Sequence, residues 1–151
     1  MSDAGDVRLL VFRVGKLVCA AEVDRVREIL PRLAATRIPG APPTVAGLVN
    51  VRGTLVTVVE GWRALSQPAP NGEGGGSLVL LEVAGTAAGT RKLIGLTVDE
   101  VVDLFAVAGD GLEPRQALAG LDPTLVRAVG RRAGQLVVVL DPDALLAPIL
   151  S

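Results

Sequence analysis

Apolar residues in this chain come in short runs broken by glycine, with no long helical stripe. Val7 to Val14 and Leu17 to Val23 are two such runs. Gly15-Lys16 separates them, a Gly-X dipeptide of the kind that closes a type II′ hairpin. The spacing then lengthens. Val23, Val26, Ile29 and Leu30 recur three and four apart, which predicts a short amphipathic helix over Asp24 to Leu30, stopped by Pro31. The prolines of Arg37-Ile38-Pro39-Gly40-Ala41-Pro42-Pro43 fix an extended loop. Beyond it, Val45 to Val51 and Leu55 to Val59 predict a second hairpin around Arg52-Gly53-Thr54, with Gly53 available for a positive φ. Trp62 to Leu65 predicts one helical turn.

Gln67 to Ser77 is rich in Gly and Pro and has no apolar period, so it reads as a linker. After it the pattern returns. Leu78 to Val83 and Lys92 to Val98 are predicted strands, Asp99 to Phe105 repeats the short helix, and Gly109 to Asp122 is irregular. Val126 to Gly130 with Leu136 to Leu140 predicts another hairpin, and Asp141-Pro142-Asp143 opens a last helical turn with Asp141 as its cap.

The recurrence holds residue by residue. Val23-Asp24-Arg25-Val26 aligns with Val98-Asp99-Glu100-Val101 at an offset of 98 − 23 = 75, and Gly53-Thr54-Leu55-Val56 aligns with Gly134-Gln135-Leu136-Val137 at 134 − 53 = 81. Two copies of one β-rich unit follow. Each copy is too small to bury much alone, and closure into barrels removes unpaired edges. The expected fold is therefore mainly β: two small barrels packed together, each with a short helix. The first lobe would span about 7–66, the linker 67–77 and the second lobe about 78–148, with terminal strands open to exchange between lobes.

Composition removes several function classes. Of 151 residues half are apolar and 21% charged, with a formal net charge of -1, as expected of a chain with a real core. Histidine and tyrosine are absent, which excludes His-based triads and most imidazole metal sites. Cys19 is the only cysteine, so no internal disulfide can form, which suits a reducing cytoplasm. The acidic start lacks the order of a signal peptide, and no apolar run is long enough to span a bilayer. A pI near 5.4 with 2% aromatic residues argues against nucleic acid. No cofactor or metal is expected.

Val45-Ala46-Gly47-Leu48-Val49-Asn50-Val51-Arg52-Gly53 resembles the V-x-G-hydrophobic-x-N-L-R-G segment of CheW-like domains. Pro39-Gly40-Ala41-Pro42 resembles the P-x-x-P before it, and Val26-Arg27-Glu28-Ile29 the V-x-E-I upstream. Gly95-Leu96-Thr97-Val98-Asp99-Glu100-Val101 is similar to the family's G-hydrophobic-x-V-D-x-V, and Gly134 to Asp141 to its closing strand. The ordered set runs from about Val7 to about Leu146. The resemblance implies two SH3-like β-barrels and a stand-alone, non-enzymatic adaptor. It would couple the cytoplasmic hairpin tips of chemoreceptors to the regulatory domain of a CheA-type histidine kinase, in the cytoplasm at membrane-associated arrays. The alternatives are a divergent paralogue that binds receptor but not kinase, or a small-ligand barrel. The chain departs from the family near Cys19, which often has an aromatic neighbour, at Thr57, where proline is common, and at Glu60-Gly61, where Asp-Leu is usual. Trp62 has no motif counterpart.

By the resemblance, the receptor groove would be formed by Val26, Glu28, Ile29, Gly47, Val49, Asn50, Arg52 and Gly53. Glu28 and Arg52 carry the chemistry. A guanidinium fork held by a carboxylate presents directional donors to a partner helix, whereas the plain alternative is a surface ion pair of little energetic weight. Gly47 and Gly53 are turn or close-approach glycines first. Asn50 suits either backbone satisfaction or partner contact. Val26, Ile29, Leu48 and Val49 could all be core, and alternation lets at most one of Leu48 and Val49 face inward. Gly72 to Ser77 mimics a phosphate loop without its Lys-Ser/Thr ending. Asp99, Glu100 and Asp103 read as a solvated face. Cys19, in an apolar strand, reads as an inert buried thiol.

Overall fold

Where alternation and three-four spacing compete in this chain, alternation wins. The computed structural model describes residues 6–70, 76–85, 89–108, 111–114 and 121–145. The first hairpin is β1 (Asp6–Val14) and β2 (Leu17–Glu22), turning at Gly15 with φ 59. The helix expected over Asp24 to Leu30 is instead a single 3₁₀ turn, Val23–Arg25, leading into the strand β3 (Val26–Pro31). Val26, Glu28 and Leu30 are half-buried while Arg27, Ile29 and Pro31 are exposed, a period of two. A helix of one or two turns is a costly nucleus. As a strand, the same residues take their backbone bonds from a neighbour.

The next hairpin, β4 (Val45–Val51) and β5 (Thr54–Val59), and the single turn α1 (Gly61–Ala64) stand where the pattern put them. So do β6 (Ser77–Ala84) and β7 (Arg91–Val98), although Ser77 belongs to the strand and not to the linker. The second expected helix, Asp99 to Phe105, is also a strand: β8 (Glu100–Ala108), nine residues whose exposure alternates without a break. Within the stretch expected to be irregular, β9 (Glu113–Pro114) pairs with the following strand. The chain closes with β10 (Val126–Arg132), β11 (Gln135–Leu140) and a helical turn over 142–145. Asp141 caps that turn, its Oδ1 accepting from the Asp143 amide at 3.0 Å.

The two sheets do not follow the two halves of the chain. One has the order β8-β1-β2-β11-β10-β9 and the other β3-β6-β7-β5-β4. Each takes its central hairpin from one half and its flanking strands from the other. The exchange is reciprocal to the residue: Cys19 pairs with Val138 in the parallel β2/β11 contact, and Ile94 with Thr57 in β7/β5. Those partners differ by 94 − 19 = 75 and 138 − 57 = 81, the two offsets of the sequence repeat. A duplicated unit has thus traded strands with its copy.

The largest core cluster draws on both sheets, with Phe12, Leu65, Leu81, Ile94 and Leu140 essentially inaccessible. Val49, Val51, Val56, Val58, Leu78 and Leu80 form a second cluster. Cys19 lies in the first, where burial pushes its thiol far up from the ordinary value. A neutral thiol there is a small hydrophobe and no nucleophile.

Candidate functional site

The β4–β5 turn is built from Arg52 and Gly53, whose φ angles of 50 and 88 are both positive. That pair of signs marks the tight hairpin whose twist matches its strands. Asn50 holds it: Oδ1 accepts from the Gly53 amide at 2.7 Å. At the other end of β4, Gly47 has φ 147, and a Cβ there would lie 2.1 Å from the Thr36 carbonyl oxygen. Only glycine fits. The close approach allows Thr36 and Leu48 to exchange two backbone hydrogen bonds of 2.8 Å, which tie the proline loop to the edge of β4.

β3 and β4 are the opposite outer strands of their sheet, and the sheet curls until they face each other. Leu30 of β3 packs against the cluster containing Val49 and Val51 of β4. Above this apolar seam the Arg52 guanidinium donates to the Glu28 carboxylate, linking the two edges. That hydrogen bond and the Glu28 charge hold the Arg52 proton still more firmly than usual. With Glu28 beneath it, the Arg52 side chain keeps 69% of its surface in solvent, so most of its donor fork is free for a partner.

The eight residues expected at the groove separate into two groups. Glu28, Asn50, Arg52 and Gly53 come together around the turn, with Ile29 on the adjoining strand and 43% exposed. Val49 is buried to 4% and Gly47 is buried under Thr36, so both shape the edge from behind it. Val26 is half-buried against the main core. Of the Leu48/Val49 pair, Val49 is the one that faces inward. Leu55 lies outside the motifs that mark the groove. It sits opposite Asn50 and is 66% exposed, the most exposed of the large apolar residues described. An aliphatic at an outward position of an alternating strand is the signal that could have found it.

The second half repeats the device. Asp103, 75 positions after Glu28, accepts from Arg132 Nε at 3.0 Å and Nη2 at 2.9 Å. Ala133, 81 positions after Arg52, has φ 51 in the matching turn. The Arg132 hydrogen bond, assisted by the Leu104 amide, holds the Asp103 carboxyl below its ordinary value. A depressed folded-state pKa contributes stability above the unfolded value that is lost as pH falls through the folded one. Arg132→Ala is therefore expected to move the Asp103 titration, followed by carboxyl NMR, back up toward the ordinary range. An unmoved titration would mean that Arg132 does not hold Asp103.

The other acidic groups have structural employment. Asp99 accepts from the Gly15 amide at 2.7 Å and from Arg13 at 3.4 Å, and Glu100 lies 3.5 Å from Arg13. Among the described residues no group of three or more Cys, Asp or Glu could hold a metal ion, and no helix is long and apolar enough to cross a membrane. Most of the glycine run that mimics a phosphate loop, 72–75, lies outside the described residues.

A family model described as the CheW-like domain matches residues 8–149. The chain is 26% identical over 141 residues to the chemotaxis protein CheW of Rhizobium meliloti, covering 93% of this chain and 87% of that protein. It is 24% identical over 146 residues to a probable chemotaxis protein CheW of Rhizobium etli, covering 96% and 90%. In structure it resembles the scaffolding protein TtCheW of Thermoanaerobacter tengcongensis with a TM-score of 0.83 at 18% identity, over 93% of this chain and 87% of that one.

Proposed function

This chain belongs to the CheW-like domain family, and from that premise we propose that it is a non-enzymatic chemotaxis adaptor coupling chemoreceptors to a histidine kinase. The relatives it resembles are chemotaxis proteins and a scaffold, and it spans most of their length. The single observation that carries the finer reading is the Arg52 fork. It is exposed, tethered to Glu28, and set on a rigid two-residue turn beside exposed Ile29 and Leu55. Apolar anchors around one directional cation suit the side of a partner helix. On this reading the receptor's cytoplasmic hairpin tip lies across the turn, and the kinase regulatory domain uses another barrel face. Receptor state then changes the adaptor–kinase contact, a coupling typically of about 1–3 kcal/mol.

The test is a three-way pull-down with a receptor cytoplasmic fragment and the kinase regulatory domain. Retention of both on the intact chain is the expected result. Retention of receptor alone would replace the coupling role with a receptor-only one, and retention of neither would end the proposal.

A further inference from the structure

At the far end of β4 from Arg52, roughly 20 Å away at the usual rise per strand residue, a different surface carries its own chemistry. The chain entering the proline loop is pinned at Thr36, and hollows are lined by the residues on both sides of that point, 37–43 and 32–35. On one side it leaves a cavity of about 490 Å³ bounded by Arg37, Ile38, Pro42, Glu60 and Arg63. On the other, a cavity of about 390 Å³ is bounded by Arg32, Leu33, Trp62 and Pro70. Ala46 and Glu60 line both. Two adjoining hollows thus repeat one composition, arginine beside an exposed aliphatic.

The wall between them is preset. Trp62 Nε1 donates to Glu60 Oε2 at 2.6 Å, and the Arg63 guanidinium lies 4.4 Å from the Trp62 ring centroid and 4.0 Å from the Glu60 carboxylate. Stacking and charge together fix Arg63 at the mouth of the larger hollow. Arg32 and Arg37 have no carboxylate within ion-pair distance among the described residues. Three guanidiniums therefore face one carboxylate that is already engaged, an excess of positive charge on an otherwise near-neutral chain. Trp62 and Glu60 are also where the chain leaves the motif pattern.

The geometry points to a docking site for an acidic segment of a partner protein, with one carboxylate entering each hollow and aliphatic side chains resting on Leu33 and Ile38. A free small anion would use the guanidiniums but would leave the apolar collar and the second hollow idle. The inference rests on this surface alone and is independent of the receptor-binding reading.

Trp62 is the only tryptophan and tyrosine is absent, so intrinsic fluorescence and the single indole N–H resonance report on this wall alone. The intact chain is titrated with a capped hexapeptide of four glutamates and two leucines, with its glutamine counterpart, and with glutarate. A saturable change with the glutamate peptide is expected. The glutamine peptide, and the glutamate peptide on Arg37→Gln, should each bind about tenfold more weakly or worse. Arg37 is exposed, so its variant should melt with the parent. No saturable response, a response that ignores Arg37→Gln, or equal binding of the glutamine peptide would overturn the proposal. Glutarate binding as tightly as the peptide would overturn it too, in favour of a small-anion site.

Discussion

Arg52→Glu should abolish binding of a receptor cytoplasmic fragment while leaving the chain folded. The reversal places two carboxylates where one ion pair stood, at a rim where the Arg52 side chain is largely solvated and Glu28 half-buried. Exposed ion pairs contribute little to folding, so the thermal transition should stay close to the parent's. Binding is different, because a partner helix would cover the turn and desolvate whatever charge it meets. Calorimetric titration on the folded variant reads the loss. The charge swap Glu28→Arg with Arg52→Glu separates two roles for the arginine. The swap restores the bridge between β3 and β4 but leaves a carboxylate on the turn. If Arg52 serves only to close the barrel, the swap recovers binding; if it touches the partner, binding stays lost. A folded Arg52→Glu variant with parental affinity would remove Arg52 from the site altogether.

Glu28 and Arg52 were legible as a pair from motif order, yet the element carrying Glu28 was not. The apolar spacing of Val23, Val26, Ile29 and Leu30 fits a helix, and nothing local distinguishes that from a strand with a bulge. The structure has such a bulge between Val26 and Glu28, in register with β6. What decided it was tertiary: β6 offers an open edge, and a helix as short as Asp24 to Leu30 could not satisfy its own ends. The same holds for β8, which shifts register against β1 between Val11 and Phe12. The hairpins were readable because glycine turns fix them locally. The repeat offsets of 75 and 81 were readable as well, and they recur as strand partners. The destination of each strand was not readable, because a duplicated unit can pair with itself or with its copy by the same pattern. The Trp62–Glu60–Arg63 wall left no motif to read, only the departure at Glu60-Gly61 and an unplaced tryptophan.

The departure from the motif at Gly61 has a cause in packing, and it yields the larger stability prediction. Gly61 opens α1 with its amide donating to the buried Thr97 hydroxyl at 2.9 Å. A Cβ at this position would lie 2.2 Å from the Thr97 carbonyl oxygen and 3.5 Å from Val14 Cγ1. The obstacle is backbone of β7, paired with β6 on one side and β5 on the other, so it cannot swing aside as a flexible side chain would. Leucine, usual in the resembling motif, therefore requires α1 to lift away from β7. The lift breaks the Thr97 bond, leaves that hydroxyl buried, and disturbs Leu65, which is fully buried one residue past the turn. Overpacking costs about 1–3 kcal/mol and an orphaned buried polar group about 1–3 more. Gly61→Leu should thus lower stability by about 3 kcal/mol or more, read as a fall in denaturation midpoint at unchanged slope. Gly61→Ala tests the same contact with the least added volume and should already lose part of it, since the clash begins at Cβ. If both variants matched the parent, the contact between α1 and Thr97 would be looser than 2.2 Å implies, and the wall that α1 supports at Trp62 and Arg63 would lose its rigid footing.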